Sequence, residues 1–343
     1  MPGRYRFLSK PASVLMFLTP LVTILLLAAC GTARESFPVL SGPWLGQTPP
    51  GAEPELFAPG IVSTGMFVRD IAMTPEGDEI YWCVIGANYT WTAIMGSRLE
   101  QGRWTEPRAL PFSVRPGVYV IEPHISADGR HFYFVSNDPA GQGQDIYVCD
   151  RQEREWGEPY RLAPPVNSAN DEFFPSLTRD GTWYFTRRLV GEVENAIWRS
   201  RLVDGQYEEP VRLPGQVNCG TNRFNAFIDP DERYLIVGVA GMQDSYGGTD
   251  YYVVFRSDDD RWSEPVNMGE KINTASPMDY APYVSPDGRY FFFMTDRRDD
   301  DAVTACAGAP LSRLLELHAS PRNGFPDIWW VEAAFIEDLR PEF

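Results

Sequence analysis

The stretch Tyr280–Asp296, "YAPYVSPDGRYFFFMTD", joins an apolar run, a turn built on Ser-Pro-Asp-Gly and a second run that is mostly aromatic. The same phrase recurs upstream as "TPEGDEIYW" (74–82), "SADGRHFYF" (126–134), "TRDGTWYF" (178–185) and "DPDERYLIV" (229–237). Its glycine slot falls at 77, 129, 181, 232 and 288, so successive copies are 52, 52, 51 and 56 residues apart. A period of this size belongs to a repeat array, either a solenoid or a propeller.

Within each period the signals are those of strands. An Asp-Gly pair between apolar runs predicts a hairpin, because both central turn positions can need positive φ, which Gly adopts freely and Asp tolerates. The runs that follow, such as "HFYFVS" (131–136), "YLIVGVA" (234–240) and "YFFFMT" (290–295), do not alternate. They are expected to be buried on both faces. A third strand is expected in "DIYVCD" (145–150), "AIWRSRL" (196–202), "DYYVVFR" (250–256) and "DIWWVEA" (327–333). A fourth carries the signature "WTEP" (104–107), "WGEP" (156–159), "YEEP" (207–210) and "WSEP" (262–265), where proline is tolerable on an edge strand.

The expected fold is therefore all-β: a propeller of five four-stranded blades, since solenoid coils are shorter. Six blades remain open if the N-terminal segment and an insertion in the last repeat form another sheet. The fifth repeat lacks its own W-x-E-P strand, and an open strand edge leaves backbone groups unpaired. "PELFAPG" (54–60) reads much like "EPVRLPG" (209–215), so the ring is expected to close on it. Glu232 occupies the glycine slot of the fourth repeat, which implies strain or a different turn. The insertion covers about 299–326 and includes "PLSRLLELH" (310–318), with leucines at 311, 314, 315 and 317 approximating one helical face. A short helix plugging or covering one end of the ring is the plain reading.

The first residues, "MPGRYRFLSKPASVLMFLTPLVTILLLAACG", place Arg4, Arg6 and Lys10 ahead of an apolar stretch from Val14 to Ala29. This pattern is an export signal. A membrane anchor is the alternative, but Thr19, Pro20 and Thr23 interrupt a stretch that falls short of the roughly 20 apolar residues a span requires. Leu27-Ala28-Ala29-Cys30 resembles the lipobox of bacterial lipoproteins, which implies a cleaved signal at 1–29 and lipid on Cys30. The expected organisation is then a tether and linker over 30–53 and a single propeller domain over 54–343.

Removing residues 1–29 takes away three positive charges and no acid, moving the formal net charge from -17 to -20. Phosphate binding depends on clustered Lys and Arg, so nucleic acid is excluded as a partner. Hydrophobic residues at 43% suffice for a packed core. Beyond Cys30, the cysteines are Cys83, Cys149, Cys219 and Cys306. Export permits disulfides, yet four cysteines allow three connectivities that spacing does not rank, and mostly buried free thiols are expected. No C-x-x-C pair occurs and no histidine lies near a cysteine, so neither a structural zinc site nor a cofactor is expected. Whether a metal sits in the channel is open.

These repeats are similar to the TolB-like family of exported β-propellers, whose blades carry a Ser-Pro-Asp-Gly turn followed by an aromatic strand. The resemblance is strongest at "YAPYVSPDGRYFFFMTD", "PHISADGRHFYFVSN" and "WSEPVNMGEKINT" and covers about residues 44–340. It implies the fold and a location in the cell envelope, facing the periplasm or the surface. It implies no activity.

Motifs for chemistry are sparse. No G-x-S-x-G elbow, P-loop or dinucleotide fingerprint is present. Shortly before the turn markers, where the chain enters each innermost strand, stand Asp70, Glu122, Asp171 with Glu172, and Asp279, with Asn222 and Arg223 in the fourth repeat. Equivalent positions of successive blades converge at one mouth of the channel. Carboxylates gathered there could bind a cation, or form the acid and base of a glycoside hydrolase. In the plainer reading each acid holds backbone amides of its own linking loop, as the shared Asn-Ser/Thr of "VNSANDEFF" and "INTASPMDYA" suggests. Asp145, Asp250 and Asp327, with Asn195 near the equivalent place, open the third strands and are expected to cap turns. The expected function is a non-catalytic, lipid-anchored binding or assembly module for a protein or glycan, touching the membrane only through its lipid. The alternative is a carbohydrate-active enzyme.

Overall fold

A computed structural model describes residues 37–139 and 143–343. The expected export signal and Cys30 lie outside the described residues. Five antiparallel sheets form the blades of a propeller. From the channel outward, blade 1 runs Phe67–Met73, Glu79–Gly86, Trp91–Glu100 and Arg108–Ala109. Blade 2 runs Val120–Ile125, His131–Ser136, Asp145–Gln152 and Tyr160–Arg161, and blade 3 runs Asp171–Leu177, Trp183–Arg188, Ala196–Ser200 and Val211–Arg212. Blade 4 runs Asn222–Ile228, Tyr234–Ala240, Asp250–Phe255 and Val266–Asn267. Blade 5 takes Tyr280–Val284, Tyr290–Thr295 and Asp327–Glu332 from its own repeat, and its outermost strand, Glu55–Leu56, from the N-terminal side. Each innermost strand touches the next, and that of blade 5 touches that of blade 1, so the ring is closed.

Closure follows the sequence expectation. Glu55 pairs with Trp330 and Leu56 with Trp329. Phe57 then turns inward, fully buried, with ring centroids 5.0 Å from Phe292 and 5.1 Å from Trp330. Gln47 clamps the strand, its Nε2 donating to Leu56 O at 3.0 Å and its Oε1 accepting from the Ala58 amide at 2.7 Å. The stretch expected as linker is therefore partly fabric of the ring. The Trp104 amide donates to Leu40 O, its indole Nε1 donates to Gly42 O at 2.7 Å, and Leu45 is buried.

The middle strands are buried on both faces, as their unbroken apolar runs require. Every residue of Glu79–Gly86, Asp250–Phe255 and Tyr290–Thr295 is buried. The hydrophobic core is accordingly distributed between neighbouring blades instead of forming one central mass. The W-x-E-P signature differs from expectation in one respect. Its Trp or Tyr lies on a small hairpin or bridge, as Trp104, Trp156 and Tyr207 do, and the outermost strand begins just after the proline, at Arg108, Tyr160 and Val211. Proline, lacking an N–H, suits the point where the chain leaves one pairing and starts the next.

The recurrent turn also has a specific chemistry. In blade 2 the Gly129 amide donates to Ser126 O at 2.8 Å, while Ser126 Oγ donates to Asp128 Oδ1 and accepts from the His131 amide at 3.0 Å. The serine and aspartate are thus selected by the turn, and the glycine slot alone is left-handed, with φ of 69° at Gly129. Glu232 keeps the same turn, its amide donating to Asp229 O at 2.8 Å with φ 56°. It is therefore strained, not rebuilt. Its carboxylate compensates by accepting from Tyr184 OH at 2.6 Å and pairing with Arg256 at 3.0 Å.

The insertion of blade 5 contains two helices, Asp300–Thr304, capped by Asp299, and Leu311–His318. It is tied down at Gly65, where an added Cβ would lie 2.1 Å from His318 O, and where Asn323 Nδ2 donates to Gly65 O at 3.1 Å. The leucines at 311, 314 and 315 are exposed. Cys83, Cys149, Cys219 and Cys306 are free thiols.

Because Phe57 fills the seam between the first and last parts of the chain, Phe57→Ala should lower unfolding stability by about 3–5 kcal/mol. Urea titration followed by tryptophan fluorescence measures this. A change below about 1 kcal/mol would show that the seam does not hold the ring.

Candidate functional site: the channel mouth

Every innermost strand bulges once, between Arg69 and Ile71, Ile121 and His124, Phe173 and Ser176, Phe224 and Phe227, and Tyr280 and Tyr283. A left-handed residue sits at each bulge: Asp70 (φ 50°), Glu122 (59°), Phe174 (51°), Asn225 (54°) and Ala281 (70°). None is glycine, so each carries conformational strain of the order of 1 kcal/mol. Hydrogen bonds between blades answer it. The Glu122 amide donates to Asp70 Oδ2 at 3.2 Å, the Phe174 amide to Glu122 Oε2 at 2.7 Å, and the Asn225 amide to Thr186 Oγ1 at 3.0 Å. A second tier lies three residues further along. There the amides of Met73, Leu177 and Ile228 donate to Tyr283 OH, His124 Nε2 and Ser176 Oγ of the preceding blade. Burial lowers the His124 pKa to about 4, which keeps its Nε2 an acceptor.

One residue before each bulge stand Arg69, Ile121, Phe173, Phe224 and Tyr280, and together they line a cavity of about 350 Å³ at the mouth. Loops between the second and third strands add Tyr89, Gln144 and Asn195, and Tyr119, Arg188 and the bulge residues Glu122 and Asn225 complete the wall. Arg69 organises the floor. Its Nε donates to Asp70 Oδ2 and its Nη2 to Glu122 Oε1, each at 2.8 Å, while Nη1 donates to Tyr89 OH at 3.1 Å and the guanidinium lies 5.3 Å from the Tyr280 ring centroid. Asp70, Glu122 and Arg69 are all buried, at 3%, 4% and 4% exposure. Two carboxylates thus share one guanidinium out of water. Burial drives the Glu122 pKa upward against the opposing pull of Arg69.

The other expected site residues do not join this cluster. Asp171 pairs with Arg188 and accepts from the Gln144 amide at 3.0 Å. Glu172 accepts from Arg187 Nε at 2.7 Å and from the Ser168 amide at 2.9 Å. Asp279 accepts from the Thr274 amide at 2.6 Å and from Thr274 Oγ1 at 2.9 Å. Arg223 meets Glu194 at 3.4 Å. The loop asparagines beside these Ser and Thr residues, Asn167 and Asn273, clasp both the amide and the carbonyl of Ile146 and Tyr251 on the third strands. Asp250 accepts from the Tyr246 and Gly247 amides and Asp327 from the Arg322 amide, both as turn caps. Asp145 pairs with Arg161 at 2.6 Å. Asn195 departs from that group. Its amide donates to Asn222 Oδ1, and its own Oδ1, buried at the mouth, has no partner among the described residues.

Of the residues singled out from the sequence, the structure brings Asp70 and Glu122 together at Arg69, and apart from Glu122 and Asn195 the lining residues were not among them. The signal was available. The bulge lies seven residues before each glycine slot, and the residue before it gives Arg69, Ile121, Phe173, Phe224 and Tyr280. Among the described residues no group of three or more His, Cys, Asp or Glu is placed to hold a metal ion. Nor is any helix among them long and apolar enough to cross a membrane.

The fold and site define a five-bladed β-propeller with an aromatic mouth. No family model matches the chain, and no curated protein does. Solved structures similar to it include TolB from Acinetobacter baumannii, at 17% identity and a TM-score of 0.43, covering 67% of this chain and 49% of that one. Kuenenia stuttgartiensis hydrazine synthase is similar at 13% identity and a TM-score of 0.41, covering 76% and 83%. The propeller domain of the Trilobed protease from Pyrococcus furiosus is similar at 13% and 0.37, covering 67% and 63%. The chain spans about half the length of the TolB structure. These are likenesses of architecture.

Burial pushes the Asp279 carboxyl up to about 6, from an ordinary value near 3.9. The folded chain thus holds a proton here between about pH 4 and 6 that the unfolded chain has released, so this contribution to stability is lost as pH rises through that window. Melting temperatures recorded from pH 4 to 7 should fall less steeply in Asp279→Asn than in the unmodified protein; parallel profiles would refute the assignment. Some slope should persist, because burial also raises Glu172 and Asp327.

Proposed function

We propose that this chain is a non-catalytic binding module, exported and lipid-anchored in the cell envelope through Cys30, whose channel mouth receives a protein or glycan partner. The observation that supports this reading is the state of the mouth's carboxylates. A glycoside hydrolase needs two carboxyl groups flanking the scissile bond, one free to donate a proton and the other to attack or to activate water. Here Asp70 and Glu122 are held by one guanidinium beneath the surface, and Glu122 also accepts the Phe174 amide. What the mouth offers a visitor is rings: Tyr89, Tyr119, Phe224 and Tyr280 are half-buried and line the cavity. Rigid aromatic surface of this kind favours recognition, since little side-chain freedom is lost on contact.

Two measurements test the proposal. Immobilised protein should capture a partner from detergent-solubilised envelope, and Tyr119→Ala, which changes one half-buried ring, should reduce capture at least ten-fold with the melting temperature little altered. Hydrolysis of polysaccharide or glycoside substrates that disappears in Glu122→Gln would instead establish the carbohydrate-active enzyme. For the anchor, Cys30→Ser should move the protein from the membrane fraction to the soluble fraction; retention on the membrane would refute lipidation at that residue.

A further inference from the structure

We infer that the ligand recognised at the mouth is an uncharged saccharide, bound with one ring against the aromatic wall and its hydroxyls hydrogen-bonded to the side-chain amides of Asn195 and Gln144. This rests on the binding-module reading and narrows it to a chemical class. Three observations lead there. First, Asn195, only 9% exposed, lines the cavity, and its buried side-chain oxygen has no donor among the described residues. Buried polar groups are nearly always hydrogen-bonded, so a guest that carries hydrogen-bonding groups suits this amide better than an apolar one. An aliphatic side chain of a partner protein would fill the space and leave that oxygen unpaired.

Second, the charges at the mouth are already balanced against a charged guest. Arg188 is paired with Asp171, and Arg69 is paired twice, with Asp70 and Glu122. Among the described residues an anion finds no free cation there, and the chain's formal charge of -17 repels it further. A cation would have to settle beside two guanidinium groups. A neutral guest that both donates and accepts meets neither penalty.

Third, the remaining lining has the two elements that a sugar ring needs. A pyranose has a face of C–H bonds and a rim of hydroxyls, each both donor and acceptor. Tyr119 and Tyr280 supply aromatic rings for the former. Gln144 carries an amide with both donors and an acceptor for the latter, beside Asn225, whose Nδ2 donates to Glu122 Oε1 at 3.4 Å. At about 350 Å³ the cavity falls within the usual range for small-molecule sites, roughly 300–1,000 Å³.

The surface next to the mouth extends the inference from a single ring to a chain of sugars. Tyr89 lines the mouth and also a second cleft of about 430 Å³, on whose wall stand Trp91 and Phe325, 38% and 43% exposed. Tyr89 is held between them by three successive left-handed residues, Ala87, Asn88 and Tyr89, with φ of 22°, 53° and 62°. An oligosaccharide seated in the mouth can therefore run past Tyr89 onto Trp91.

The test is calorimetric titration of the full chain with neutral tetrasaccharides, namely maltotetraose, cellotetraose and tetra-N-acetylchitotetraose. Sialyllactose and a tetralysine peptide serve as charged probes. At least one neutral probe should bind with a dissociation constant below about 1 mM, and more tightly than its own monosaccharide. Asn195→Ala and, independently, Tyr119→Ala should each weaken that binding ten-fold or more; Tyr119 is half-buried, so its variant remains informative should Asn195→Ala fail to fold. Lys271→Ala, whose partner Glu53 lies outside the mouth lining, should leave binding unchanged. Binding confined to a charged probe, or neutral binding indifferent to both mouth variants, would overturn the inference. If no saccharide binds while Tyr119-dependent capture of an envelope protein persists, the saccharide assignment falls and the binding module stands; if both fail, both readings fall.

Discussion

Closure of the ring is the constraint on which the rest depends. A blade is a four-stranded sheet with two apolar faces, and each face can be buried only against a neighbouring blade. An open row of five would expose one face at either end and leave an unpaired strand edge. Two residues, Glu55 and Leu56, supply the missing edge, and Phe57 just beyond them fills the space against Phe292 and Trp330. The pairing is short, yet it fixes the positions of blades 1 and 5 together. Arg69 of blade 1 and Tyr280 of blade 5 then come within cation–π distance, and only then does the mouth exist as a cavity.

Inside the ring the decisive balance is between two carboxylates and one guanidinium. Burying an ion is costly unless partners and hydrogen bonds replace its water. Arg69 meets that cost with two carboxylate partners and Tyr89 OH; Glu122 meets it with Arg69 and the Phe174 amide. The bulges are what make this possible. By turning the backbone at Asp70 and Glu122 into the left-handed region, each strand aims a side chain at the next blade, so that strain within one strand is offset by a bond between two. The acids are therefore committed to holding the blades in register, which separates their chemistry from that of the surface above them.

The architecture was legible in the sequence because its causes are local. Ser126 and Asp128 recur as Ser285 and Asp287 since the same hydroxyl must close the same turn, and an unbroken aromatic run can only be a strand covered on both faces. The closing strand was legible too, through the likeness of 54–60 to 209–215. The site was not. Asp171, Glu172 and Asp279 stand near Asp70 and Glu122 along the repeat, but a shift of two or three residues on a strand changes which face and which level a side chain reaches. Those acids went to Arg188, Arg187 and Thr274, while the bulge that distinguishes the levels is marked only by its distance of seven residues from the glycine slot, its own residues being Asp, Glu, Phe, Asn and Ala. The early boundary of the ring at about Leu40 was hidden for a similar reason. Leu40 and Gly42 contribute carbonyls to Trp104, and a carbonyl leaves no trace in residue type.

Recurrence and function therefore separate along each strand. Positions that recur, the turn serine or threonine of four blades and the third-strand aspartate of three, answer to a requirement that those blades share. The positions at the mouth do not repeat: Arg69, Ile121, Phe173, Phe224 and Tyr280 occupy one structural place with a cation, an aliphatic chain and three rings. A symmetric set would serve the scaffold as well, so the asymmetry answers to something that is itself asymmetric. Asn195 fits the same logic. It stands near where Asp145, Asp250 and Asp327 serve the scaffold, yet it lines the cavity and its side-chain oxygen holds no backbone amide among the described residues. In a quasi-symmetric ring, the residue that abandons a shared structural duty is the one whose side chain is available for another.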